Sequence, residues 1–389
     1  GRMSPTSRTS AASTMVDCQR HLFDVPREIA YFNCAAFTPF LLSVAEAGHG
    51  AVTRRVHTWK INSEELADGA DRARTLFGRI INADRDAIAI TPATSYSIAV
   101  AAANLDLAEG QTIVVVQDQF PSNYYVWVEK AAQAGATMRV VPRPENGDWT
   151  PGVLDAIDGD TGIAALPGCH WMDGSLLDLE AVGSRCREFG AAFVIDATQS
   201  IGAQRFDIET IQPDFLACSA YKWLLSPYTL GYLYAAPHRR DGQPLELHNG
   251  NHHPTQQHGT YSAALRQSAA RYDMGERTNL TLLPMACAAM EQLLAWGIGE
   301  VEDYLGTLTD RIADEAARRG YGHPPREHRA RHFIGLTPSG GVPAGLVEAL
   351  AADDVYVAPR GAAIRISPHL HNDEADIERL FAALDRHLT

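Results

Sequence analysis

The chain has 389 residues, 46% of them hydrophobic, and 33 basic against 47 acidic side chains leave a formal charge of −14. That balance excludes the clustered basic surface of a nucleic-acid binder, and no apolar run approaches the ~20 residues of a membrane span. The length suits one large α/β domain with a smaller one beside it, each burying its own core.

The opening stretch, GRMSPTSRTSAASTM, is small and polar and lacks the apolar segment of a secretory signal. Residues 1–15 read as a disordered N-terminus, with Gly1 and Arg2 as a tag remnant. Residues 42–80 carry helical periodicity. Seven short apolar blocks follow: AIAI (87–90), TIVVV (112–116), MRVV (138–141), GIAAL (162–166), AAFVID (191–196), FLAC (215–218) and LGYLY (230–234). Helical stretches such as SIAVAAANL and LEAVGSRCREFG lie between most of them. This alternation predicts a doubly wound, mostly parallel seven-stranded sheet with helices on both faces.

Residues 240–275 are polar and irregular, and a loop of that length is expected to shape a pocket or an interface. From about 285 the pattern changes to long helices, then to a short α+β segment and a last helix, a smaller α+β C-terminal domain. The expected division is a large domain over 41–285 and a small one of 16–40 plus 286–389, with the strand at YFN joining the latter. The cysteines Cys18, Cys34, Cys169, Cys186, Cys218 and Cys287 have no CxxC or zinc spacing and read as buried, reduced thiols of a cytoplasmic protein. No metal site is expected: His248, His252, His253 and His258 are spaced too irregularly for a tight ligand set.

In doubly wound sheets ligands sit beyond the carboxyl ends of the strands, so the residues after each block carry the chemistry. After AIAI, the segment TPATSYS offers Thr94 and Ser95 at a helix N-terminus, which suits a phosphate and also an ordinary N-cap. Phe120 stands at a strand exit, where it could cover a planar ring or join the core. Asp196 ends an apolar strand, and a carboxylate buried there needs a partner. Lysine occurs only at 60, 130 and 222, against thirty arginines. Lys60 and Lys130 lie in amphipathic, helix-like segments and read as surface positions. Lys222 is hemmed by Tyr221, Trp223 and Leu224, and desolvation there would raise its share of nucleophilic amine. A structural lysine paired to Asp196 is the plain alternative.

Together these residues match what pyridoxal 5′-phosphate requires: a lysine for the imine, a carboxylate for the pyridine nitrogen, phosphate donors and a ring-stacking group. The motifs FPSN (120–123), VIDATQSIG (194–202), SAYKWL (219–224), GERTN (275–279) and IRISPHLHN (364–372) resemble the class V aminotransferase family of fold-type I enzymes. That family includes cysteine desulfurases, kynureninases and isopenicillin-N-epimerase-like proteins, and the resemblance covers most of the chain.

The resemblance implies that Lys222 holds the cofactor as a Schiff base, Asp196 meets the pyridinium, Gln199 bonds the ring O3′ and Phe120 stacks on the ring. It assigns phosphate contacts to Thr94, Ser95, Ser219 and Tyr221. Thr278 would reach a neighbouring subunit's phosphate in a homodimer with shared sites. Arg365 would fork onto the substrate α-carboxylate, assisted by Asn33.

Two departures stand out. No cysteine follows Cys287, which argues against desulfuration through an enzyme persulfide. CHWMDG places Trp171 where many members carry asparagine or serine, and His170 reads equally as acid/base or as structural. The expected activity is a lyase-type reaction, C–S or other β-elimination on a substituted amino acid such as a cysteine S-conjugate, of the kind found in natural-product tailoring. Aminotransfer, an epimerase-like reaction and decarboxylating oxidative deamination are the alternatives. A PLP-binding regulator would need a DNA-binding module, which is not seen, and a pseudo-enzyme would usually lack the lysine or the aspartate.

Overall fold

The computed structural model describes residues 16–254 and 260–388; the expectations for 1–15 and for His258 lie outside them. The strands, in chain order, are β1 (Ala30–Tyr31), β2 (Ile88–Thr91), β3 (Thr112–Val116), β4 (Thr137–Val141), β5 (Thr161–Pro167), β6 (Ala192–Asp196), β7 (Phe215–Ser219), β8 (Gly231–Ala235), β9 (Ile334–Leu336), β10 (Val355–Tyr356), β11 (Ala358–Arg360) and β12 (Ala363–Ile366). Each of the seven apolar blocks is a strand of one seven-stranded sheet, ordered β2-β8-β7-β6-β5-β3-β4. All pairings are parallel except those of β8, which runs antiparallel to both β2 and β7.

The inner strands β6, β7 and β8 are buried on both faces, as expected for a sheet covered by helices on each side. Their side chains divide between two apolar clusters, one built around Phe77, Leu166, Ile195 and Leu216, the other around Ile98, Val115, Val194 and Phe215. Alternation along each strand sends successive residues to opposite faces, which is why Val194 and Ile195 serve different cores.

The smaller sheet is antiparallel, ordered β11-β12-β9. It shares a third cluster with the helices Ile298–Arg318 and Glu374–His387, and that cluster also takes in Phe32, Cys34 and Ala35 from the N-terminal segment. β1 pairs in parallel with β10. The long helical stretch after 285 is broken: Leu282–Trp296 and Ile298–Arg318 meet at 77°. Gly297 sits at the bend with φ +90°, a conformation that costs other residues strain. Among the described residues no single helix is long and apolar enough to cross a membrane.

Lys60 keeps its expected surface position but not a helix, and Lys130 keeps its helix but not full exposure. Lys60 is exposed but closes a 3₁₀ turn, Thr58–Lys60, because the helix Leu42–Val56 ends before it. Lys130 lies on the helix Tyr125–Ala134 and is half-buried, which lowers its pKa. Of the free cysteines, Cys34, Cys169, Cys186, Cys218 and Cys287 are buried and Cys18 is partly so.

Candidate active site

A cavity of about 360 Å³ opens beyond the carboxyl ends of the parallel strands. Thr94, Ser95, Phe120, Asp196, Gln199, Ser219, Tyr221 and Lys222 all line it, although they are spread over 129 positions of the chain (94 to 222). Strand order explains the convergence. β6 and β7 are neighbours, so Asp196 at the end of one and Lys222 just past the other face the same space.

Thr94 opens the helix Thr94–Ala103, and the cap residue Ala93 makes no side-chain cap bond. The first-turn N–H groups therefore keep no side-chain acceptor at the cap, the arrangement that receives an anion. The Thr94 hydroxyl instead joins a network: it meets Thr198 Oγ1 at 2.9 Å and Ser219 Oγ at 2.7 Å, while the Ser219 N–H donates to Thr198 Oγ1 at 3.2 Å. Thr198, which also lines the cavity, was not singled out from sequence; its signal was its place inside IDATQSIG.

Asp196 is 8% exposed, and its Oδ1 accepts the Thr198 N–H at 3.1 Å. Burial raises its pKa, opposed by the Thr198 bonds and the nearby Lys222 charge. Lys222 is 7% exposed and its pKa is lowered to about 8, chiefly by burial and then by the Arg365 charge, with Asp196 opposing. Among the described residues Asp196 and Lys222 form no ion pair, so the plain structural pairing is not what the fold makes. The Lys222 Nζ stands 5.2 Å from the centre of the Phe120 ring and 5.4 Å from that of Tyr221. The Lys222 carbonyl accepts from Thr38 Oγ1 at 2.7 Å, tying the lysine turn to the N-terminal segment. Backbone strain gathers in the flanking loops: Asp118, Leu225 and Thr229 hold positive φ, costly for leucine and for a β-branched residue.

Phe120 meets Trp171 edge to face at 5.3 Å. Trp171 is held by its own Nε1, which donates to the Asp118 carbonyl, and by its carbonyl, which accepts from Arg365 Nη1 at 2.9 Å. His170 does not line the cavity. It stacks flat on Trp149, 5.3 Å between centres and 4° between planes, and bonds the Gln117 carbonyl, a structural position.

Arg365 and Asn33 stand outside the cavity wall but beside it. Arg365 is 1% exposed, and its Nε and Nη2 have no hydrogen-bond partner. Burial and the Arg360 charge lower its pKa to about 9. Asn33 bridges Ser367, two residues along the chain from Arg365, and its Oδ1 is likewise buried without a partner. Buried polar atoms left unpaired in this way are costly, and they fit a site built for a ligand. Thr278 is half-buried and is not among the lining residues, and no described residue of 240–275 lines the cavity either. That loop folds on itself instead, His248 and Asn251 bonding the backbone at Asp273 and Arg271.

The match to the family model for class-V aminotransferases runs over residues 41–380. The chain belongs to the class-V aminotransferase family. It is 25% identical to an uncharacterized aminotransferase of Bacillus subtilis over 334 residues, 81% of this chain and 83% of the relative. A probable cysteine desulfurase of Methanothermobacter thermautotrophicus is 29% identical over 239 residues, 58% of each chain. The isopenicillin N epimerase of Streptomyces clavuligerus is 24% identical over 351 residues, 81% of this chain and 83% of that one. The fold is that of a cystine C–S lyase solved with its product cysteine persulfide (TM-score 0.84, 18% identity, 92% of this chain and 97% of that one). It is also that of the apo cysteine desulfurase of Thermococcus onnurineus NA1 (TM-score 0.84, 19% identity, 95% and 98%). The protein is an enzyme whose cofactor is pyridoxal phosphate, and the cavity suits that group: a desolvated amine, a buried carboxylate, an open helix N-terminus and an aromatic ring meet in one space.

Proposed function

We propose that this enzyme breaks a C–S bond by β-elimination on a substituted amino acid such as a cysteine S-conjugate, in a homodimer acting in the cytoplasm. The observation that carries the amino-acid part is Arg365, a buried guanidinium with two unpartnered nitrogens whose charge is felt at Lys222. A fork of that kind matches an α-carboxylate, and Asn33 supplies a second polar atom beside it.

Bound in this cavity, pyridoxal phosphate would have its phosphate held by Thr94, Ser95, Ser219 and Tyr221, with Asp196 for the pyridine nitrogen, Gln199 for the O3′ and Phe120 for the ring face. Pyridoxal phosphate, when bound, supplies a protonated ring that withdraws electrons from the bonds at the substrate Cα. Lys222 is the amine that carries it and, with a pKa near 8, both takes and returns a proton at neutral pH. The C–S bond breaks, the thiol leaves, and the aminoacrylate released hydrolyses to pyruvate and ammonia.

Sulfur transfer to the enzyme lacks an acceptor among the described residues. Cys169 lines the cavity, but burial pushes its pKa up to about 12 and leaves no thiolate. For the dimer, Thr278 lies away from its own chain's cavity, where a partner's phosphate could meet it. Phe37 and Tyr228, 57% and 62% exposed, crowd Tyr221 at the cavity mouth and leave apolar surface for a second copy. The proposed division, 41–285 against 16–40 plus 286–389, is supported by the core that joins Phe32 and Ala35 to the C-terminal helices.

The test is product analysis with S-substituted cysteines. Pyruvate, ammonia and free thiol with the cofactor unchanged support elimination. Conversion to the pyridoxamine form, loss of chirality at Cα or release of CO₂ would each replace it with one of the alternatives. Lys222→Ala must abolish the borohydride-trappable adduct.

A further inference from the structure

Gln199 is gripped from two sides. An indole N–H only donates and a peptide carbonyl only accepts, so its two side-chain bonds decide which end of the amide is which. Trp223 Nε1 donates to Oε1 at 2.8 Å, and Nε2 donates to the Ala35 carbonyl at 3.2 Å. One N–H on Nε2 is left over, on a residue that lines the cavity. The backbone carbonyl of Gln199 is also engaged, accepting from His332 Nε2. That bond places the His332 proton on Nε2, because a carbonyl cannot donate. His332 and Trp223 brace each other edge to face, 4.6 Å apart at 89°, and both are fully buried.

The three holding groups come from different parts of the chain. Trp223 follows the lysine, His332 precedes β9 of the smaller sheet, and Ala35 belongs to the N-terminal segment. None of them lines the cavity. We infer that Trp223 and His332 are positioning residues, orienting Gln199 so that its remaining N–H meets the cofactor's O3′ and coupling the seating of the smaller sheet to the ring. This rests on the Gln199 role proposed above. A donor at O3′ favours the deprotonated oxygen and lowers the pH at which the lysine-bound cofactor's visible band titrates. Losing the donor, or letting the amide turn, raises that midpoint.

The experiment is an absorbance titration of the holoenzyme between acid and alkaline pH, without substrate. Trp223→Phe keeps a ring and removes the N–H; the midpoint is expected to rise by roughly half to one pH unit. Gln199→Ala should raise it at least as far, and the double variant no further than Gln199→Ala alone. His332→Phe should raise it too, while His332→Gln, which restores an N–H donor, should return it toward wild type. A Trp223→Phe or His332→Phe midpoint equal to wild type, with Gln199→Ala shifted, overturns the inference, as do additive shifts in the double variant. If Gln199→Ala itself shifts nothing, the O3′ contact is wrong and the inference falls, yet the persisting band leaves the Lys222 assignment standing. Should Trp223→Phe fail to fold, the His332→Phe and His332→Gln pair decides the matter by the same midpoint.

Discussion

Arg365 Nη1 donates to the Trp171 carbonyl at 2.9 Å, so a strand of the smaller sheet is fastened to the loop that follows β5. One guanidinium thereby spends a single donor on the protein and keeps Nε and Nη2 unpaired. The strand fixes the arginine, and the loop it fastens carries the indole that meets Phe120.

Removing the fork should cost substrate recognition more than stability. Arg365→Gln is expected to lower kcat/KM by about 30- to 150-fold, the scale of a charged hydrogen-bond pair, mainly through KM. Arg365→Lys should recover little, because an ammonium cannot fork. Steady-state kinetics with an S-substituted cysteine check this, and an unchanged KM in both variants would remove Arg365 from the carboxylate site.

In the cofactor-free protein the Lys222 contribution to stability should grow as pH rises from about 8 to about 10.5, against the opposing contribution of the buried cysteines, whose thiol pKa values burial raises. Lys222 has a folded pKa near 8, below its unfolded value, so within that window its side chain holds more proton in the unfolded chain and its contribution to folding strengthens with pH. Below 8 the buried ammonium is a standing cost on the order of 1–3 kcal/mol. Lys222→Met should therefore raise the apo Tm at pH 7, and its advantage over the unsubstituted protein should shrink between pH 8 and 10.5. Thermal melts at stepped pH values read both effects.

Acid should act through three buried histidines, two of which pack against Trp223. Burial lowers His332 to about 4, His369 to about 3 and His371 to about 4. Each folded pKa lies below the unfolded one, so stability is present above about pH 6.5 and drains as pH falls toward 4. Neither ring nitrogen of His369 has a partner, and the ring lies 6.0 Å from Trp223 at 29°. His369→Phe should stabilise the protein by about 1 kcal/mol at pH 7 and by more at pH 5, measured by urea unfolding. Equal stability change at the two pH values would mean that burial leaves the His369 pKa at its unfolded value.

Gly202 should tolerate no side chain. Its φ is +106°, and a Cβ there would collide with the Trp223 carbonyl, one residue beyond Lys222. Gly202→Ala must push the lysine turn away from the DATQS turn, at an expected cost of about 2–4 kcal/mol. Borohydride-trapped cofactor per folded chain should fall with it. An alanine variant with wild-type melting and full trapping would show that this contact relaxes freely.

Much of this protein was legible in one dimension because its central sheet is buried on both faces: parallel strands under two helix layers must be short continuous apolar runs, and all seven were visible. The strand-exit residues were legible for a related reason. Lys222 and Asp196 are costly at the ends of apolar strands, so their presence there marks chemistry. What sequence could not weigh was neighbourhood. Thr198 became part of the site only through β6 lying next to β7, and no described residue of the loop 240–275 lines the cavity of its own chain. His170 and Trp171 are adjacent in sequence, yet one stacks on Trp149 and the other walls the cavity, because backbone direction at a loop is decided by distant packing. The chain by itself determined the fold and the cofactor, and it singled out Lys222 as the candidate amine. Only the tertiary structure decided which groups hold Gln199 and which guanidinium nitrogens remain free, since both depend on segments over a hundred residues away arriving at hydrogen-bonding distance.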